Sequence, residues 1–307
     1  MARALTVRAT VPEQLVSNNA RSRRIVDQIA TALLWVAASS VVGLLLLFVL
    51  YLFVQGYSAI SWHFLVGYPQ AATAGGGVGP EIFNSFYILI LTLIFTLPIS
   101  LLAGAYLQEY SGPGRFRDIV QFSAESLATV PSIVMALFGL LVFVQILGWH
   151  FSAIGGALTL TFLNLPAMMR VTQQALASVP ATYREASMGL GATKWQTLLR
   201  VVLPSAIGPM TTGVVLVSGR IFGETAALIF TAGASVSYGA SAYDFNPFHT
   251  AETLAVHLYS TQREALVPDA TQIANGSALV LLVMVLIFNV VARVVGRQLT
   301  LRFTGKA

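Results

Sequence analysis

Val179-Pro-Ala-Thr-Tyr-Arg-Glu-Ala-Ser-Met-Gly-Leu-Gly-Ala-Thr-Lys-Trp-Gln-Thr-Leu-Leu-Arg-Val-Val-Leu-Pro204 reads as two short helices joined by a tight turn. Pro180 suits the first turn of a helix, where its fixed φ is already correct and its missing N–H has no partner to lose. Tyr183 to Leu190 continue that helix, and Gly191 stops it by adopting a left-handed conformation. Thr193 followed three residues later by Gln196 is a capping-box spacing that starts a second helix. That helix carries Trp195, Leu198, Leu199 and Val202 at i, i+3, i+4 and i+7, an apolar stripe. The flanking sequence is apolar on both sides, so this is a helical loop between two long apolar segments.

Composition says what those segments are. Of 307 residues, 56% are apolar and only 9% charged, against about 25% charged in soluble domains. So little charge excludes a soluble enzyme, and low polarity excludes a disordered chain. With no cysteine, disulfides, thiolate metal sites and cysteine nucleophiles are excluded. The chain belongs in a bilayer.

A hydrocarbon core about 30 Å thick takes roughly 20 apolar residues as a helix. Six segments qualify: Ile29–Val54, Ile82–Leu107, Leu127–Leu147, Ala153–Met169, Ile207–Ala232 and Ala274–Val291. Gly148-Trp149-His150 divides the third from the fourth within a stretch that has no charge between Glu125 and Arg170. The first segment is too long for a signal peptide's apolar core and is expected to be retained as a span.

The basic residues test this topology. Arg3, Arg8, Arg21, Arg23 and Arg24 precede the first span, and Arg115 and Arg117 lie between the second and third. Arg170, Arg184, Lys194 and Arg200 fall between the fourth and fifth, and Arg293, Arg297, Arg302 and Lys306 end the chain. Fifteen of seventeen therefore share one side, with Arg263 opposite and Arg220 inside a span. The positive-inside rule places both termini in the cytoplasm and residues 56–80 and 233–273 outside. The basic residues thus label orientation, and no basic face suits nucleic acid. Ala74-Gly-Gly-Gly-Val-Gly-Pro80 lacks the lysine and hydroxyl of a phosphate-binding loop and reads as a flexible, helix-breaking lead-in to the second span. The segment 233–273 is long enough to hold a short helix.

Against this background the 179–204 loop resembles the cytoplasmic signature of type I ABC-importer permeases. Glu185-Ala186-Ser187, Gly191, Val201 and Leu203-Pro204 match its spacing, departing only in Ser187 for Ala and Val201 for Ile. The resemblance implies an all-α polytopic membrane protein of the MetI-like permease fold, with six transmembrane helices. It divides the chain into a cytoplasmic segment 1–28, a first helix 29–54, a permease domain 75–295 holding the 179–204 coupling loop, and a tail 296–307. In that family the loop docks onto a separate ATPase, so Glu185, Ala186, Ser187, Gly191, Leu203 and Pro204 are the expected coupling residues.

Arg220 and Glu224 fall near the middle of the fifth span, where a charge costs about 2.5–3.5 kcal/mol and calls for a reason. At i, i+4 on a continuous helix they share a face and can pair, and Gly219 and Gly223 at small-xxx-small spacing would admit a neighbouring backbone. One reading is a self-neutralised packing pair. The other is a translocation path in which Arg220 lowers the barrier for an anion while Glu224 orients it or moderates its grip. Asn164, close to Pro166 in the fourth span, is a weaker path candidate. Pro98, Pro131 and Pro166 interrupt or adjoin spans and can kink them.

The run Ser218-Gly-Arg-Ile-Phe-Gly-Glu-Thr-Ala-Ala-Leu-Ile-Phe-Thr-Ala-Gly233 is similar to the PstA branch of phosphate permeases. So are Leu101-Leu-Ala-Gly-Ala-Tyr-Leu-Gln-Glu-Tyr110 and Glu125-Ser-Leu-Ala-Thr-Val-Pro-Ser-Ile-Val134. That likeness implies a bacterial inner-membrane subunit with a PstC-like second permease, a PstB-like ATPase dimer and a PstS-like phosphate-binding protein. It implies no cofactor on this chain, ATP and Mg2+ being used by the ATPase. A permease for sulfate, molybdate or phosphonate, or a non-transporting scaffold or signalling subunit, are the alternatives. The four histidines, His63, His150, His249 and His257, match no metal-binding spacing, and no catalytic set is apparent.

Overall fold

The computed structural model describes residues 13–70, 73–234, 243–264 and 267–304, so Arg3, Arg8 and Lys306 lie outside the described residues. Among the described residues the regular structure is entirely helical. Two units are separable, one ending at Val54 and the other running from Gln55.

The first unit consists of α1 (Glu13–Gly56) up to Val54. Its apolar residues, Leu33, Trp35, Leu44 and Val54 among them, are distributed over every side of the helix. A helix apolar on every face suits lipid and not water.

The second unit contains α2 (Trp62–Val66), α3 (Gly79–Ala105, running into a π-helical turn, Tyr106–Tyr110), α4 (Arg115–Ala128), α5 (Ser132–Gly139, with a π-helical continuation, Leu140–Ile146) and α6 (Ala153–Ala177). It continues with α7 (Ala181–Gly189), α8 (Lys194–Thr197, then a π-helical turn, Leu198–Val202), α9 (Leu203–Gly223), α10 (Ala226–Thr231), α11 (Leu254–Glu264) and α12 (Ala270–Thr304). Among the described residues five helical stretches are long and apolar enough to cross a membrane: Arg23–Ala59, Gly79–Tyr110, Ala153–Ala177, Lys194–Gly223 and Ala270–Arg302.

The expected third span, Leu127–Leu147, is not one rod. Arg115–Ala128 and Ser132–Ile146 meet at 100°. Pro131 stands at the N-cap of α5 with an extended ψ of 140°, and its missing N–H ends the helical ladder there. Pro98 and Pro166, by contrast, lie inside unbroken helices. The fifth span also differs from expectation. α8, its π-helical turn and α9 form one helical stretch, Lys194–Gly223, that begins inside the loop. It stops at Glu224, whose backbone is extended (φ −76°, ψ 120°), before α10 begins. Ile207–Ala232 is therefore two helices and not one.

α3, α6 and α9 pack together at the centre, with α12 along α9. Side-chain hydroxyls join α3 to α6, Thr96 bonding Thr161 at 3.3 Å where apolar packing alone would give little drive within lipid. Gly213 of α9 lies against Val171 of α6 so closely that a Cβ would sit 2.0 Å from Val171 Cγ1. The start of α6 is capped from far along the chain: Ala153 N–H and Ile154 N–H each donate at 2.8 Å, to the carbonyls of His249 and Pro247. The glycine-rich lead-in to α3 is pinned, with Val78 N–H donating to Phe64 O at 2.7 Å and Gly79 N–H to Gly67 O at 3.1 Å.

Candidate functional site

The 179–204 loop folds as its capping residues dictate. Pro180 is the N-cap of α7, with ψ 140°. Gly191 takes φ +88°, the left-handed conformation that ends the helix. Both halves of the capping box are made: Gln196 N–H donates to Thr193 Oγ1 at 3.2 Å, and Thr193 N–H donates to Gln196 Oε1 at 2.9 Å. Ser187 Oγ and Thr197 Oγ1, 2.9 Å apart, tie α7 to α8.

One face of α7 is held by the bundle. Arg184 reaches back to Glu109 in the π-helical end of α3, with Nη2 2.6 Å from Oε1, and donates to the carbonyls of Val179 and Leu176 at 2.7 Å each. The opposite face is open: Glu185, Ala186, Met188 and Gly189 are exposed, and Leu190 is 91% exposed. A short helix anchored at one face and free at the other can pass a rigid displacement inward. The apolar stripe expected on the second helix splits: Leu198 and Val202 are buried, while Trp195 and Leu199 are exposed. The cause is the π-helical turn over Leu198–Val202, whose i→i+5 bonding shifts the register of successive side chains. Trp195 and Leu199, with Leu203, Tyr106 and Tyr110, line an apolar hollow of about 570 Å³. Pro204 follows at the start of α9.

Arg220 and Glu224 do not pair. The helix ends between them, and neither joins an ion pair among the described residues. Glu224 instead turns toward α10, its Oε1 accepting from Ala227 N–H at 3.4 Å. Arg220, expected near mid-span, lies in the last turn of α9 because the helix stops at Glu224, and it is exposed on a face that also carries Thr212, Leu216 and Gly223. Gly219 and Gly223 have no atom within 4 Å of where a Cβ would stand, so they admit no neighbour within this chain. Asn164 is buried at 1% exposure; its Nδ2 donates to Leu160 O at 2.8 Å, and its Oδ1 has no hydrogen-bond partner among the described residues.

Like the Arg184–Glu109 pair, other polar groupings escaped the sequence reading. Glu125 pairs with Arg170 at 3.1 Å, beside a cleft of about 340 Å³ lined also by Gln121, Gln173 and Gln174. At the other end of α3, the buried Glu81, Glu252 and His257 come together, with His257 Nδ1 3.5 Å from Glu252 Oε1. Burial favours a neutral imidazole, but the Glu252 carboxylate facing Nδ1 as an acceptor and the charges of Glu81 and Glu252 outweigh it and raise the His257 pKa. The only local signals were an acid just after Gly79-Pro80 and an i, i+5 Glu–His pair.

The profile of the binding-protein-dependent transport system inner membrane component family matches residues 97–305. The chain belongs to this family. The permease is 40% identical to the probable ABC transporter permease protein YqgI of Bacillus subtilis, over 92% of this chain and 99% of that protein. It is 38% identical to the phosphate transport system permease protein PstA of Xylella fastidiosa over 51% of this chain and 55% of that protein. With PstA 1 of Mycobacterium tuberculosis (strain CDC 1551 / Oshkosh) it shares 32% identity across 89% of each. Its fold is similar to that of a chain in the crystal structure of a bacterial alginate ABC transporter, with a TM-score of 0.61 at 18% identity over 94% of this chain and 99% of that one. The permease is therefore an all-helical, MetI-like subunit of a type I ABC importer.

Proposed function

We propose that the permease is one of two membrane subunits of an ATP-driven importer of inorganic phosphate. The observation that carries this reading is Arg220, a guanidinium exposed on an unpacked face of a membrane-length helix and unpaired among the described residues. Such a charge is costly in lipid and is kept where it meets a partner or a substrate. A PstC-like second permease would cover the Thr212, Leu216, Gly223 face and turn it into the wall of a shared path. Arg220 would then lower the barrier for a passing anion. Glu224, engaged with α10, holds the break open behind Arg220 and does not quench it. Asn164, being buried, would reach the path only in another conformation.

Coupling follows from the loop. The face formed by Glu185, Ala186 and Leu190 would dock on a PstB-like ATPase dimer on the cytoplasmic side, with Ser187, Gly191, Leu203 and Pro204 shaping the loop behind it. Closure of the ATPases on ATP would displace α7, and Arg184 would carry the motion to α3 through Glu109. A PstS-like external protein would deliver the phosphate. Support for phosphate comes from the PstA relatives, whereas the YqgI name specifies no substrate and leaves a permease for another oxyanion as the second reading. Competition in the reconstituted complex separates them: unlabelled phosphate should abolish labelled-phosphate uptake, and sulfate and molybdate should not. Uptake of sulfate or molybdate in place of phosphate would assign the second reading.

A further inference from the structure

We propose that Glu81, Glu252 and His257 bind one divalent transition-metal ion of the Zn2+ or Mn2+ class, stapling the segment that leads into α11 to the first turn of α3. Glu81 lies 171 positions before Glu252, and Glu252 and His257 are five apart, yet the ligand atoms of all three lie within 4.8 Å of one another. All are buried, at 2%, 3% and 7% exposure. Among the described residues Glu81 Oε2 and both carboxylate oxygens of Glu252 have no well-formed hydrogen bond, the approach of His257 Nδ1 to Glu252 Oε1 being 3.5 Å. Unpartnered buried carboxylate oxygens are expensive, and here three of them converge with an imidazole nitrogen.

A divalent cation would give the three unpartnered oxygens and the imidazole nitrogen a common partner. Two carboxylates, a neutral imidazole and a divalent cation sum to zero. The surroundings are arranged to hold the ligands. His257 turns Nδ1 toward Glu252, while Nε2 lies 3.4 Å from Thr261 Oγ1, the kind of outer contact that orients a metal-bound histidine. Ser85 Oγ donates to Glu81 O at 2.7 Å and accepts from Leu254 N–H at 2.9 Å, and Asn84 Nδ2 donates to Glu252 O at 3.1 Å. These bonds fix the backbones that carry both glutamates.

The donor set selects the cation class. A mixed carboxylate and imidazole site suits Zn2+ or Mn2+. Ca2+ takes six to eight oxygens and Mg2+ an octahedron of oxygens, whereas one of the three donors here is an imidazole nitrogen. Zn2+ needs four ligands at about 2.0–2.2 Å, so the three side chains would draw inward and leave one position for a water. Given the burial, the metal is expected to be taken up as the segment folds onto α3.

The test uses the untagged full chain, purified in detergent from cells grown with Zn2+ and, separately, with Mn2+. Elemental analysis should find close to one equivalent of one of these metals per chain. Glu252→Gln and His257→Gln should lose it, and His249→Gln, which alters an exposed imidazole, should keep it. Where the variants fail to fold, the wild-type chain decides: prolonged chelation should lower its melting temperature by several degrees, and re-addition of the metal should restore it. A metal-free wild type indifferent to chelator, or a His257→Gln chain that retains a full equivalent, would overturn the proposal.

Discussion

Arg184 and Glu109, 75 residues apart in sequence, are joined by three contacts from the guanidinium Nε and Nη2 to the carboxylate, the shortest 2.6 Å. Both side chains are largely buried, at 18% and 17% exposure. The pair is the one side-chain ion pair, among the described residues, between the 179–204 loop and α3. It makes the loop part of the bundle and not an appendage.

Arg184→Ala should therefore act on stability and coupling together. It strands the Glu109 carboxylate and removes donors from the Leu176 and Val179 carbonyls, a loss of about 3 kcal/mol for a largely buried pair. Thermal melting of the purified chain should fall, and uptake by the complex should fall with it. Glu109→Gln should be milder, because a hydrogen bond to Arg184 survives.

The free face of α7 should behave oppositely. Leu190→Asp and Glu185→Ala alter exposed residues and should change stability by less than about 0.5 kcal/mol. Both should nonetheless reduce co-purification of the ATPase subunit. Gly191→Ala is different again: φ +88° strains any side chain by about 1–2 kcal/mol, so melting and docking should both suffer.

Gly213 and Gly219 offer a contrast on one helix. A methyl at Gly213 collides with Val171, whereas one at Gly219 meets nothing in this chain. Gly213→Ala should cost about 1–3 kcal/mol by overpacking, and Val171→Ala should relieve it in a double-mutant cycle. Gly219→Ala should leave the isolated chain unchanged while weakening association with the second permease.

Local chemistry was the most legible part of the sequence. Pro180, Gly191, Thr193 and Gln196 act through bonds within a few residues, and the loop they specify is the one observed. Apolar runs located the long helices because length and hydropathy are read along the chain. Breaks were harder. Pro98, Pro131 and Pro166 look alike as letters, but only Pro131 coincides with a 100° bend, because neighbouring helices decide whether a freed carbonyl is accommodated. The stop at Glu224 has no proline to announce it, and it undid the Arg220–Glu224 pairing, which assumed unbroken helical geometry. Glu81, Glu252 and His257 were invisible, since nothing local signals that α11 will deliver His257 to the first turn of α3.

Labelled-phosphate uptake by the reconstituted complex carrying Arg220→Ala tests the central claim most directly. With expression, melting temperature and ATPase association unchanged, uptake should drop at least about tenfold, equivalent to about 1.4 kcal/mol of lost barrier lowering. Arg220→Lys should retain part of it, since charge is kept and the planar fork is lost. Wild-type phosphate uptake by a normally expressed Arg220→Ala complex would contradict the assignment of Arg220 to the anion path.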